Sequence, residues 1–148
     1  MKGQTLKIDN MNKDWNDKDQ VMIKAVFQIL CDFMEQEHPN KVTDYTYNKE
    51  HRQRWRELQT LYKYWKIDRP KDQKKIDKLL HMWAKKHKTK CIPKEVNING
   101  KIFKCSEMVT LVKAKKEWNR LNKAEKEFDA KEDEMLIRVM KIRRHLWT

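Results

Sequence analysis

Four side chains near the middle of the chain are of the types that bind zinc: His81, His87, Cys91 and Cys105. Their spacing is His-x5-His-x3-Cys-x13-Cys. It contains neither the CxxC pair nor the His-x3-His helical pair common in zinc sites. His81 and His87 are also too far out of phase to share one helix face. The pattern predicts free thiols, no metal site and no cofactor. Other catalytic chemistry has little support. Two isolated glycines cannot build a phosphate-cradling loop, and serine is nearly absent, with Ser106 reading as a helix cap. Carboxylates cluster only in charged helical runs such as "EDE", where a solvated face is the simpler account. The expectation is a protein that is not an enzyme.

The remaining chemistry is charge and aromatic surface. The stretch "WRELQTLYKYWKIDRPKDQKKIDKLLHMWAKK", Trp55 to Lys86, interleaves rings with lysine and arginine. Such a pattern serves either as a platform for bases and phosphates or as two helices with buried aromatic stripes and wet basic faces. Trp55, Leu58, Trp65, Leu79 and Trp83 fall on the apolar stripes and are expected in the core. Tyr64 falls off the stripe, beside Lys63 and Lys66, and is the candidate for base stacking. The candidate phosphate-binding set is Arg52, Arg54, Arg56, Lys63, Lys74, Lys75, Lys78 and Lys85.

The charge distribution favours an anionic partner. The net charge is +13, with residues 49–90 holding fifteen basic against five acidic side chains. Residues 1–48 hold six against eight, and residues 91–148 fourteen against nine. A net +10 over 42 residues is more than solubility requires, although a solvated face remains the alternative. Lysine-dominated contact suggests backbone binding without sequence preference.

The elements that must position these residues are mostly helical, since two Gly and three Pro are the only breakers in 148 residues. Residues 1–13 read as an irregular arm. A first helix, capped by Asn16 or Asp17, carries Ile23, Val26, Phe27, Leu30, Phe33 and Met34, and stops near His38 before Pro39. "NKVTDYTYN" is a connector in which Tyr45 and Tyr47 could pack, and Asn48 caps a second helix. "KIDRP" breaks the pattern, with Pro70 opening a third helix, so the pair can be read as a helix-turn-helix. Asn99-Gly100 predicts a type I′ hairpin over about 94–105, pairing Val96 with Phe103 and Ile98 with Lys101. Pro93 would mark its outer end. Its apolar face, Val96, Ile98 and Phe103, would have to lie on the helices, because an isolated hairpin is marginal in water. From Ser106 a helical pattern runs on through Leu111, Ala114, Trp118, Leu121 and Phe128. A second stripe of Leu136, Val139, Met140, Arg143, Leu146 and Trp147 favours two helices with a break near Asp129. Trp147 should dock on the core or on a partner.

The fold expected is therefore mainly α: a compact bundle of four to five helices with one small hairpin, forming a single domain over 1–148. Three cysteines, no signal-like apolar run and no membrane-length apolar stretch point to a cytoplasmic protein with no membrane partner.

"WRELQTLYKYWKIDRPK" (Trp55–Lys71) and "DEMLIRVMKIRRHLWT" (Asp133–Thr148) resemble segments of small proteins of tailed bacteriophages. The resemblance covers about a fifth of the chain, includes no chemical motif, and implies a viral origin, acting in the host cytoplasm, without transferring an activity. The function expected is binding of nucleic acid or a nucleoprotein complex through the basic helix faces. The alternative is a protein-binding module, such as an inhibitor of a host enzyme or defence complex, or a virion assembly component, working through Tyr45, Tyr47 and Trp147.

Overall fold

The computed structural model describes residues 6–9, 11 and 15–146. Most of the expected 1–13 arm, and Trp147, lie outside these residues. The described chain is mainly α, with four long helices, a single-turn helix and one antiparallel hairpin. In order these are α1 (Lys18–Asp32), α2 (Pro39–Val42), α3 (Lys49–Lys63), α4 (Arg69–Lys86), β1 (Lys88–Ile98), β2 (Lys101–Val112) and α5 (Lys115–Ile142). Among the described residues, no helix is long and apolar enough to cross a membrane.

The chain divides into two compact units. The first comprises Met1–Lys71 and Asp129–Thr148, the second Asp72–Phe128, so both boundaries fall inside helices, α4 and α5. The first unit holds the main core. Ile23, Phe27 and Leu30 from α1, and Phe33 from the π turn that follows it (Phe33–Glu37), meet Tyr45, Leu58, Leu61 and Tyr64, with Met135, Val139 and Leu146 from the C-terminal segment. Phe27 stacks nearly parallel on Trp65, with centroids 4.3 Å apart. Polar ties at the rim hold the same elements together. Arg138 grips Glu57 through two 2.7 Å bonds, Arg69 reaches the buried Glu132 at 2.7 Å, and Lys66 and Tyr62 both bond Glu35 at 2.8 Å.

The helix starts follow local chemistry. Asn48 accepts the His51 N–H at 2.8 Å and caps α3. His38 sits in the left-handed region (φ 48°), ending the first helical segment as Pro39 opens α2.

"KIDRP" is not a turn. Tyr64–Asp68 forms a π turn that joins α3 directly to α4, with the Arg69 N–H bonded to the Tyr64 carbonyl. A proline removes one donor and crowds the carbonyl four residues before it; a wider π turn relieves that conflict without stopping the helix. The helix-turn-helix reading is thereby overturned.

The hairpin is longer than 94–105. The turn is as expected, with positive φ at both Asn99 (51°) and Gly100 (81°), and the Val96–Phe103 and Ile98–Lys101 pairs are present. The ladder, however, extends to Lys88 opposite Val112. Pro93 lies within β1 opposite Ser106, so Ser106 is a strand residue and caps no helix. A two-stranded ribbon leaves each strand one free edge, where a proline needs no partner for its missing N–H. Nor is the apolar face fully covered, although Val96 is half-buried. Ile98 and Phe103 are about half exposed, and Ile102 and Met108 on the opposite face more so.

Leu111 belongs to β2, and α5 is one helix of 28 residues with no break at Asp129. The charged run there simply continues the helix, since no proline or glycine interrupts it; Asp129, Asp133 and Glu134 are exposed and Glu132 is buried.

Candidate nucleic-acid interface

The charge concentrates in the second unit. Residues 72–128 contain sixteen lysines and arginines against seven carboxylates, a net +9 of the chain's +13. α4 organises part of it. Lys74, Lys78 and Lys85 recur at i, i+4 and i+11, which places them on one face of the helix. All three are exposed and form no ion pair among the described residues. Lys75 differs: its ammonium lies 2.7 Å from Asp72, which holds its pKa above the ordinary lysine value. It is off the stripe and already partnered.

The ribbon adds exposed lysines. Lys90, Lys94 and Lys101 alternate with Ile92, Val96 and Ile98 on one face, as the register requires. Lys94 is bonded to Glu107 at 2.8 Å. Cys91 and Cys105 are exposed but lie on opposite ribbon faces. With His81 on α4 and His87 just after its last residue, they do not converge. Among the described residues, no group of three or more His, Cys, Asp or Glu is placed to hold a metal ion.

The arginines of the predicted set lie in the first unit and are more committed. Arg52 donates to the Thr46 carbonyl at 2.9 Å, tying α3 to the preceding connector. Arg54 is half-buried. Arg56 is exposed on the wall of a cavity of about 370 Å³ shared with Tyr45 and Trp55, and Lys63 is exposed.

Tyr64 is not available for stacking. It is 3% exposed and packs 6.0 Å from Phe27 in the core of the first unit. Tyr64 follows the buried Leu61 by three residues, which places it on the same inward face of the helix at the point where the π turn begins. Tyr45 is likewise buried, stacked on Trp55 at 4.8 Å, whereas Tyr47 is exposed.

A second cavity, of about 570 Å³, lies wholly within the second unit. Trp83, His87 and Trp118 supply its aromatic walls, with Lys113, Lys115 and Asn119 as its polar rim. Trp83 stacks on His87 at 4.8 Å and meets Trp118 at 5.5 Å. Trp118 stays 46% exposed. The helical pattern read from Ser106 onward hid this site, because Lys113 and Ala114 then sit inside a helix. The β-branched residues Val109, Thr110 and Val112 at the end of β2 are the signal that separates them from α5.

No protein-family model, curated protein or solved structure matches the chain.

Proposed function

We propose that the protein is a non-enzymatic nucleic-acid-binding protein that holds the sugar–phosphate backbone on the lysine-rich surface of its second unit. The observation that carries this reading is the Lys74–Lys78–Lys85 stripe: three exposed ammonium groups, free of ion pairs among the described residues, in a unit of net +9. Lysines in that arrangement neutralise phosphates and release counterions, so affinity falls steeply with salt. The three free cysteines support action in the cytoplasm. The resemblance of two segments to phage proteins supports a viral origin.

The test is fluorescence anisotropy with labelled duplex DNA, single-stranded DNA and RNA across a salt series. The full chain should bind, and the K74E/K78E/K85E variant should bind far more weakly. Its log–log salt slope should be shallower by about 3, one for each lost phosphate contact. Equal binding by both proteins would remove the stripe from the interface.

Protein binding is a second reading, favoured by the ribbon. Ile98, Ile102, Phe103, Met108, Leu111 and Val112 are each at least half exposed, and β2 contains no proline to block pairing along its free edge. An acidic partner that adds a strand to β2 would satisfy both the charge and the edge. Absence of nucleic-acid binding even at low salt would favour this reading.

A further inference from the structure

We infer that the cavity between Trp83, His87 and Trp118 is a nucleobase pocket, which captures one unstacked base of a single strand with its phosphate on Lys113 and Lys115. This rests on the nucleic-acid reading above and adds a site to it. Four observations converge. The volume, about 570 Å³, is within the range of small-molecule pockets. Its walls are aromatic faces, and every base has a π face to lay against them. Among the described residues, the two charged side chains at its rim are both lysines and no carboxylate lines it. Glu117, the acid closest in sequence, is bonded to Lys86. Asn119 supplies an amide that can donate to and accept from a base edge.

Trp118 is the stacking face. Trp83 and His87 already occupy each other's surfaces, whereas Trp118 is tilted 51° from Trp83 and almost half exposed. A base entering the cavity therefore meets the Trp118 indole while Trp83 backs it.

The pocket is independent of the lysine stripe. Nine residues separate Lys74 from Trp83, two and a half turns of helix, so stripe and cavity lie on opposite sides of α4. A duplex, whose bases are stacked and paired, can use the stripe but not the pocket. Single strands and unpaired ends can use both. The site therefore predicts a preference for single-stranded ligand that the charge pattern alone does not.

The experiment measures anisotropy of a labelled thymidylate oligonucleotide of roughly twelve nucleotides, against a duplex of the same length, with the full chain and its variants. Trp118→Ala should weaken single-strand binding by roughly tenfold or more and leave duplex binding within about twofold. Trp118→Phe, which keeps a ring, should retain most of the affinity. Lys113→Glu combined with Lys115→Glu, two exposed positions, should weaken single-strand binding without touching the aromatic packing. If both Trp118→Ala and the double glutamate variant bind single strands like the parent, while K74E/K78E/K85E does not, the pocket is refuted and the backbone-binding reading survives. If the parent binds neither ligand, both proposals fall together.

Discussion

Arg69 combines a cation–π contact with a bidentate ion pair. Its guanidinium lies 4.6 Å from the Trp65 ring centre and bonds both carboxylate oxygens of Glu132, whose side chain is 6% exposed. Removing one partner of a buried ion pair is costly, so Glu132→Ala should destabilise the first unit by about 3–5 kcal/mol, seen as a lower urea midpoint. Glu132→Gln, which keeps an acceptor, should lose less. Glu57 and Glu35 respond to pH. Hydrogen bonds from Arg138 hold the Glu57 pKa below the usual carboxylate range, and bonds from Lys66 and Tyr62 do the same for Glu35. A depressed folded pKa means that the stabilisation is complete above the unfolded value, about 4.3, and is lost as pH falls through the folded values. Urea midpoints should thus hold steady from pH 7 to about 5 and drop below about 4. The drop should be smaller in Glu57→Gln. Cys31 gives a third outcome at this scale. Burial pushes its thiol up to about 11, while Cys91 and Cys105 are exposed, so iodoacetamide at pH 8 should label the latter two and spare Cys31 in the folded protein, as read by mass spectrometry.

Among the elements, the ribbon depends most on a single position. Gly100 has φ +81°, and a Cβ built there would meet nothing within 4 Å, so only backbone conformation opposes substitution. Gly100→Ala should cost roughly 1–2 kcal/mol in hairpin stability without any steric clash, measurable as faster amide exchange along β1 and β2. The turn was readable in the sequence because Asn-Gly is a local signal that needs no tertiary context. The fate of the ribbon's faces was not. Alternation says which residues share a side, not whether anything covers that side. The π turn after α3 was hidden for a related reason: a proline preceded by charged residues looks like a stop. Whether the helix ends there or widens by one residue depends on the packing that the Phe27–Trp65 stack and the Arg69–Glu132 pair supply around it.

Across the molecule, burial and charge separate. Phe27, Leu30, Leu58, Leu61 and Val139 are at most 1% exposed and belong to the first unit; the second unit buries Leu121 as deeply but otherwise holds net +9 and the exposed ribbon. Hydrogen exchange should therefore be slowest in α1, α3 and the α5 segment around Val139, and fastest along β1 and β2, by mass spectrometry of the full chain. The opposite order would mean that the ribbon is covered in solution.

What the sequence determined alone follows from local chemistry and composition. The helical majority came from the scarcity of breakers, the α1 core stripe from its 3.6-residue period, the Asn48 cap and the Asn-Gly turn from side-chain and φ requirements, and the basic balance from counting. The exposure of the α4 lysines was also legible this way, since solvent-facing charge is set by the same period. Only the tertiary structure decided that Tyr64 is buried, that α3 runs into α4, that residues 106–112 are strand, and that Trp83, His87 and Trp118 enclose a cavity with Lys113 and Lys115. Each of these depends on partners far away in sequence. Whether a ring at the edge of a stripe is buried depends on what packs over it, as Phe27 does at Tyr64, and a cavity exists only once two helices and a strand end have been brought together.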